Sequence, residues 1–428
     1  MRHHPLDSQL FVDNRARLRK LLPQGALAAL NANDVPPTNA DGSLPLVPNS
    51  DLFYLSGIEQ EESLLVLSPD APDEKLREIL FLREPNEHLK TWEGHKLSKD
   101  EATQISGIGT VKWLSELPTV WRGLMCDAAE VFLNTNEHKR AVVDVQSRDA
   151  RFIEDCRREY PLHTYRRLAP LMHQLRLVKS AAEVEVLKEA IRITDAGFRR
   201  VAKAVRPGTA EYELEAEFAH EFTRNRAKFA YTPIIASGAN ACTLHYISND
   251  QPCGAGDLLL MDVAANYANY NADLTRTVPV DGKFTPRQRD VYNAVLRVMR
   301  ASIAGCTVGK LHRDWTREAQ LMMNEELVRL KLITADDVKK APPDEPACRK
   351  YFMHGLGHPL GLDVHDVGAM HTPFAAGWVL TVEPGIYIPE EGIGVRLENN
   401  VLVTPAGPVD LMEDIPVEAD EIEALMRK

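Results

Sequence analysis

The sequence has few cysteines, and none of its six forms a closely spaced pair. A zinc ribbon, a thioredoxin-type redox site and a disulfide framework all require such pairs, so the cysteine pattern argues against these three classes. We expect reduced, buried thiols at all six positions: Cys126, Cys156, Cys242, Cys253, Cys306 and Cys348.

Long apolar runs are also missing. The first residues are polar and contain no apolar segment of the kind found in a secretion signal, and no stretch of 18 uncharged apolar residues follows. The sequence therefore predicts a soluble protein in the cytoplasm, with no membrane partner.

Positive charge is in deficit. The 50 Lys and Arg residues stand against 62 Asp and Glu residues, which gives a formal net charge of −12 at pH 7. This balance repels a phosphate backbone. The densest basic group comprises Arg157, Arg158, Arg166 and Arg167, and we interpret it as a solvated face. Nucleic acid is not an expected partner.

The remaining composition, with 44% apolar and 26% charged residues in 428, is that of a globular protein with two or three domains. In the first third, residues 51–56, 63–67 and 79–82 are strand candidates, which indicates a smaller α/β domain. Ser180 and Glu183 have capping-box spacing and open a predicted helix. We therefore expect domains at 1–175 and 176–428.

The second domain contains four predicted helices and several predicted strands. The helices are expected at about 181–205, 210–226, 285–305 and 311–330, and the stretch 334–348 is expected to be a surface loop. The apolar segments 258–265 and 272–278 predict a β-hairpin with one aspartate in each arm. Residues 378–383 and 394–403 are also strand-like, and each contains a glutamate.

Four carboxylates interrupt these apolar strands: Asp262, Asp273, Glu383 and Glu398. An unpaired carboxylate in a protein core costs several kcal/mol, so each of them needs a cation or a proton. Each one alone is more often a strand-end residue or half of an ion pair. All four together indicate a metal site.

The densest histidine cluster, with His354, His358 and His365, lies between the first two of these carboxylates and the last two. Gly355 stands where a zincin motif requires glutamate, and the nearby glycines and Pro359 place these histidines on turns or extended chain. Four carboxylates and one neutral imidazole balance two divalent cations, and oxygen-rich ligation favours Mn, Co, Fe or Zn. Such a pair of ions activates water for attack on a carbonyl. His245, His354 and His365 are then candidates for binding the developing oxyanion and the leaving nitrogen.

Six segments of the chain resemble the metallopeptidases of the pita-bread fold, and in particular the aminopeptidase P (Xaa-Pro aminopeptidase) group. The matching segments are residues 240–246, 260–264, 271–277, 354–366, 382–387 and 394–399. Two weaker matches, 49–57 and 90–94, extend the resemblance to the N-terminal domain of that group. One difference is Met370, where the group often has a tyrosine.

The resemblance implies an α/β (α+β) fold: a smaller N-terminal α/β domain, then a C-terminal pita-bread catalytic domain whose curved, mostly antiparallel sheet is covered by helices. It implies two divalent metal ions, with Mn²⁺ favoured and Co²⁺ or Zn²⁺ as alternatives. Asp273 and Glu398 resemble ligands that bridge the two ions. The implied metal ligands are Asp262, Asp273, His358, Glu383 and Glu398.

The resemblance also implies roles around the metals. Glu383 is expected to handle the proton, Arg396 to steady the site, and Asp41 to meet the free amine of the substrate. The implied catalytic residues are His245, His354, His365, Glu383 and Arg396. A homodimer or homotetramer is expected.

The predicted reaction is release of the N-terminal residue from peptides with proline in the second position. An Xaa-Pro dipeptidase (prolidase) on the same site is the nearest alternative. A methionine aminopeptidase fits less well because that group is usually shorter, and creatine hydrolysis on this fold uses no metal. A metal-free pita-bread module that only binds peptides is the alternative outside enzymes, but it predicts eroded ligands.

Overall fold

The computed structural model describes residues 3–141, 144–368 and 371–427. The chain divides into two compact units, one covering residues 3–176 and the other beginning at Leu177. A compact unit is not by itself an independently folding domain, so the domains 1–175 and 176–428 stay a prediction.

The first unit is built on a mixed six-stranded sheet. The strands are β1 (Ala26–Asn31), β2 (Leu64–Leu67), β3 (Glu78–Leu82), β4 (Val111–Trp113), β5 (Glu130–Leu133) and β6 (Tyr165–Arg167), in the order β4-β3-β2-β1-β5-β6. β2 pairs antiparallel with β1 and β3, while the outer pairs are parallel. The helices are α1 (Ser8–Arg19), α2 (Ser50–Ser56), α3 (Glu87–Glu93), α4 (Lys99–Ser106), α5 (Leu117–Asp127), α6 (Arg148–Glu159) and α7 (Ala169–Leu177).

The strand predicted at 51–56 is wrong, because these residues form helix α2. The Asn49 side chain accepts hydrogen bonds from the backbone N–H groups of Asp51 and Leu52, and Gly57 ends the helix at φ 67°. An N-cap and a left-handed glycine at the two ends outweigh the strand propensity of the aromatic residues between them. The strands predicted at 63–67 and 79–82 are confirmed as β2 and β3.

The second unit contains six helices and eleven short strands among its described residues. The helices are α8 (Ala181–Ala204), α9 (Glu211–Arg224), α10 (Pro286–Ala304), α11 (His312–Arg329), α12 (Ala335–Lys340) and α13 (Ala419–Met426). The strands are β7 (Lys228–Phe229), β8 (Ile234–Ser237), β9 (Leu258–Asp262), β10 (Ala265–Tyr267), β11 (Tyr270–Asn271), β12 (Thr275–Pro279), β13 (Val379–Val382), β14 (Gly385–Ile388), β15 (Ile393–Arg396), β16 (Asn399–Thr404) and β17 (Gly407–Asp410).

In the part of the second unit that the structure describes, all strand pairs are antiparallel, as expected. These strands form four separately hydrogen-bonded sheets: β11-β10-β7, β12-β9-β8, β13-β16-β17 and β14-β15. The Glu398 N–H donates to the Thr275 carbonyl over 3.0 Å and so joins two of these sheets. The segment predicted as one strand over 394–403 is two strands, because the chain turns at Leu397 and Glu398.

The predicted helix starts are confirmed. Ser180 with Glu183 and Thr285 with Gln288 form capping boxes, which open α8 and α10. The loop predicted at 334–348 contains helix α12, because Thr334 and Asp337 form a further capping box. Among the residues described, no helix combines the length and apolar character that crossing a bilayer requires.

All six cysteines are free thiols. The prediction that all are buried is wrong for Cys126, which is exposed in the last turn of α5, and for Cys242, which is half-buried. Spacing along the sequence does not reveal which face of a helix a single cysteine occupies.

Candidate metal centre

Two of the predicted ligands lie at one end of the antiparallel pair β9–β12, next to the inserted strands β10 and β11. Asp262 is the last residue of β9 and pairs with Thr275 of β12. Asp273 lies two residues before Thr275 and is buried. Asn400 fixes its backbone from both sides: the Asn400 Oδ1 accepts from the Asp273 N–H over 3.1 Å, and the Asn400 Nδ2 donates to the Asp273 carbonyl over 2.7 Å.

Glu398 comes from the turn between β15 and β16, and its side chain is 1% exposed. The Thr275 hydroxyl donates to Glu398 Oε2 over 2.6 Å and accepts from Arg396 Nε over 3.1 Å. Thr275 therefore orients the carboxylate of Glu398 while it is itself held by Arg396.

His358 and Glu383 flank strand β13. The His358 N–H donates to Thr381 Oγ1 over 3.0 Å, and the Thr381 N–H donates to the His358 carbonyl over 2.9 Å. This close approach requires Gly357, because a Cβ atom at that position would lie 2.0 Å from the Thr381 carbonyl oxygen. His358 Nε2 lies 3.5 Å from Asp273 Oδ2 and 3.5 Å from Glu383 Oε1.

The tautomer of His358 follows from its other ring nitrogen. Nδ1 lies 3.0 Å from the Pro359 carbonyl oxygen, which can only accept a hydrogen bond. Nδ1 therefore carries a proton, and Nε2 is the ring nitrogen that faces the carboxylates. A carbonyl on the far ring nitrogen is the usual arrangement for a histidine that binds a metal.

Ligand atoms of Asp273, His358 and Glu398 all lie within 4.8 Å of one another. Burial and the neighbouring carboxylates raise the pKa of Asp273 and of Glu398 well above their ordinary values. Carboxylates crowded together in this way fit a divalent cation, which would remove their mutual repulsion and favour their ionised forms.

Asp262 has partners on both oxygens. Arg396 Nη2 donates to its Oδ2 over 2.7 Å, and the Tyr231 hydroxyl lies 2.5 Å from its Oδ1. The same hydroxyl lies 2.7 Å from Asp273 Oδ1. Burial and these carboxylates raise the pKa of Tyr231 well above 10, so the phenol keeps its proton and serves as a donor between the two aspartates.

A chain of hydrogen bonds runs from Arg396 to His354. Arg396 Nη1 donates to the Tyr387 hydroxyl over 2.9 Å, and that hydroxyl lies 2.8 Å from His354 Nε2. His354 Nδ1 lies 2.8 Å from the Gly355 carbonyl. Burial, followed by the charge of Arg396, lowers the pKa of His354 to about 4, so this imidazole is neutral at pH 7.

The remaining predicted residues differ in their exposure and in their contacts. The His365 ring stacks on the His358 ring with centroids 3.9 Å apart and planes at 12°. His245 is exposed on a turn, and its charge contributes to lowering the pKa of His354. Asp41 is exposed in the first unit. Met370, the one difference from the resembling group, lies outside the described residues.

The structure brings together all five predicted ligands with Arg396 and His354. Their roles as ligands and catalytic residues stay predictions. The sequence did not reveal the residues that hold these side chains in place: Tyr231, Thr275, Thr381, Tyr387 and Asn400. Neutral hydroxyl and amide groups are ordinary in strands and turns, so their spacing gave no signal.

Two family models match the chain: metallopeptidase family M24 over residues 185–405 and the aminopeptidase P N-terminal domain over residues 11–132. The chain is 33% identical to the Xaa-Pro aminopeptidase of Haemophilus influenzae and 34% identical to that of Escherichia coli K12, in each case over 98% of both chains. It is 34% identical to the solved structure of Zn-substituted E. coli aminopeptidase P in complex with product. That match has a TM-score of 0.86 and covers 99% of this chain and 100% of the other. The chain therefore belongs to metallopeptidase family M24, in its aminopeptidase P group.

Proposed function

We propose that the protein is a divalent-metal-dependent aminopeptidase that releases the N-terminal residue from peptides with proline in the second position. The observation that carries this proposal is the convergence of Asp273, His358 and Glu398 within 4.8 Å. The name Xaa-Pro aminopeptidase, which relatives matching 98% of the chain carry, favours this reaction over a dipeptidase.

The proposed cofactor is a pair of divalent cations, with Mn²⁺ favoured and Co²⁺ or Zn²⁺ as alternatives. Four carboxylates and one neutral imidazole carry a total charge of −4, which matches two such ions. Bound divalent cations supply Lewis-acid activation of water and of the scissile carbonyl. The proposed ligands are Asp262, Asp273, His358, Glu383 and Glu398.

Further roles are proposed for Glu383 and for the side chains around the ligands. The Glu383 side chain is 20% exposed, and a carboxylate is a group that can act as a general base, so we propose that Glu383 handles the proton. Arg396 holds Asp262 and the Tyr387 hydroxyl in place. His245, His354 and His365 are proposed to hold the substrate.

Proline in the second position has a physical rationale. The bond before proline is a tertiary amide without an N–H group, so a peptidase that binds this hydrogen loses a partner. A site that needs no hydrogen bond from the scissile nitrogen accepts such peptides.

The proposal is tested with Arg-Pro-Pro and added Mn²⁺. We expect Glu383→Ala and Asp262→Ala to lower kcat/KM at least about 100-fold, because each change removes a proposed ligand. Glu391→Ala is the matched control, since this glutamate pairs with Arg287 on the surface, and it should retain wild-type activity. Undiminished activity of both ligand variants would refute the assignment.

A second substrate separates the two proline-specific reactions. Wild-type protein should cleave Arg-Pro-Pro, and cleavage confined to the dipeptide Gly-Pro would identify a prolidase instead.

We also propose a homodimer or homotetramer in the cytoplasm. Light scattering after size-exclusion chromatography measures the oligomer, and a monomer would contradict that part.

A further inference from the structure

A buried ion pair lies beside the segment that carries His358 and His365. Lys179 Nζ donates to Asp366 Oδ2 over 2.9 Å, and both side chains are 1% exposed. Replacing such a pair by apolar side chains of similar volume often costs no stability. Stability alone therefore does not explain why two charges are buried here.

The segment 358–366 is a closed loop. The Asp366 N–H donates to the Pro359 carbonyl over 2.9 Å, directly after His365. On one side the Leu360 N–H donates to the Val379 carbonyl of β13 over 3.0 Å. On the other side Asn271 Nδ2 of β11 lies 3.0 Å from the Gly361 carbonyl. The loop thus connects the strands that precede Glu383 and Asp273.

Gly361 provides the space for the ion pair. A Cβ atom at this position would lie 2.3 Å from Asp366 Oδ2 and 2.9 Å from Lys179 Cε. Any side chain at position 361 would therefore push the carboxylate away from the ammonium group.

Lys179 is in an unusual place for a cation. It immediately precedes Ser180, the N-cap of α8, and its backbone N–H donates to the Gly377 carbonyl over 2.8 Å. The N-terminal end of a helix disfavours positive charge. The carboxylate of Asp366 therefore compensates the positive charge of Lys179, which the start of the helix does not. The ion pair also fixes the loop to the start of α8.

We infer that Lys179 and Asp366, with the space left by Gly361, form a positioning device for the proposed metal ligand His358. The ion pair fixes the chain next to His365, and the His365 ring stacks on His358. The stack then keeps His358 Nε2 directed at Asp273 and Glu383. This inference rests on the proposed function, in which His358 binds a metal.

The test measures Mn²⁺ affinity in the full-length protein after chelation, with free Mn²⁺ detected by electron paramagnetic resonance. The double variant Lys179→Met/Asp366→Leu removes both charges at similar volume. We expect it to melt close to the wild type but to bind Mn²⁺ about 10- to 100-fold more weakly, because apolar contacts are not directional. A double variant with both the melting temperature and the Mn²⁺ affinity of the wild type would overturn the inference.

A second variant covers the case in which the double variant does not fold. Gly361→Ala keeps both charges but displaces Asp366 from Lys179, and it should weaken Mn²⁺ binding about tenfold or more. Wild-type affinity in this variant would overturn the inference.

The matched control is Arg15→Met, which removes the 1% exposed cation of the Arg15–Glu78 pair in the first unit. It should lower the melting temperature without changing Mn²⁺ affinity, and an equal loss of affinity would show that general destabilisation is the cause. Wild-type protein that neither binds Mn²⁺ nor cleaves Arg-Pro-Pro would refute the proposed function itself. If the wild type binds Mn²⁺ and cleaves Arg-Pro-Pro, and the variants bind Mn²⁺ with the same affinity, only the positioning role is refuted.

Discussion

At the scale of single residues, Tyr231 is the hydroxyl that connects two proposed ligands. It lies 2.5 Å from Asp262 Oδ1 and 2.7 Å from Asp273 Oδ1. One hydroxyl has one proton, so it can satisfy only one of these oxygens at a time. Its position therefore fixes the separation of the two aspartates rather than neutralising either of them.

We predict that Tyr231→Phe weakens Mn²⁺ binding about tenfold, because partners of metal ligands contribute about this much to affinity. Isothermal titration calorimetry of the chelated protein measures the change. Tyr212→Phe is the control, since Tyr212 is exposed on α9. Equal affinities for the two variants would show that Tyr231 does not orient the aspartates.

His354 gives a prediction for acid pH. Its folded pKa is about 4, against 6.5 for an ordinary histidine. Below pH 6.5 the unfolded chain binds a proton at His354, whereas the folded chain binds it only near pH 4. The stability contributed by neutral His354 is therefore complete above pH 6.5 and is lost as the pH falls toward 4.

The matched variant is His354→Gln, measured by urea unfolding of metal-free protein. Between pH 7 and pH 4.5 the wild type should lose about 2 kcal/mol relative to the variant. Asp273 and Glu398 titrate in both proteins, so their contribution cancels in the difference. A constant difference across this range would contradict the lowered pKa.

At the scale of elements, the packing of α8 on α9 depends on Gly197. A Cβ atom at this position would lie 2.9 Å from Phe218 Cδ1 and 2.9 Å from Phe222 Cε1. Alanine is the better helix former by about 1 kcal/mol, but overpacking a core costs about 1–3 kcal/mol. The two effects oppose each other, and the packing cost is the larger.

We therefore predict that Gly197→Ala lowers the free energy of unfolding by about 1 kcal/mol. The matched control is Gly123→Ala in α5, where the new Cβ atom would have no neighbour within 4 Å. That variant should gain up to about 1 kcal/mol from helix propensity. Urea unfolding of both variants measures the contrast, and a Gly197→Ala protein as stable as Gly123→Ala would contradict it.

The sequence predicted elements whose signals are local. Ser180 and Glu183 marked the start of α8, and the aspartates of the β9–β12 pair stood out because they interrupt apolar strands. Helix α2 was missed although its cap and its terminal glycine are also local signals, because the strand propensity of the aromatic residues between them was given more weight. Tyr231 was missed because its partners are 31 and 42 residues away, a distance over which a neutral hydroxyl leaves no pattern.

At the scale of the whole molecule, the proposed ligands all belong to the unit that begins at Leu177, while the unit of residues 3–176 has its own core. A cation that binds the folded form stabilises the structure that contains its ligands. We therefore predict that chelation speeds amide hydrogen exchange in β9, β12 and β16 but not in β1 and β2. Mass spectrometry of peptic fragments measures the exchange.

Re-addition of Mn²⁺ is the control for this prediction, and it should restore slow exchange in the same three strands. Faster exchange in β1 and β2 after chelation would show that the cation stabilises both units.

The distribution of the proposed ligands along the chain has a consequence for biosynthesis. A ribosome emits Asp262 and Asp273 first, then His358 and Glu383, and only later Glu398, which comes from the turn before β16. A partly translated chain therefore offers a cation an incomplete set of oxygens. On the proposed function, the full set of ligands exists only after Glu398 has been added, and the cellular supply of each cation at that moment helps to decide which one the protein binds.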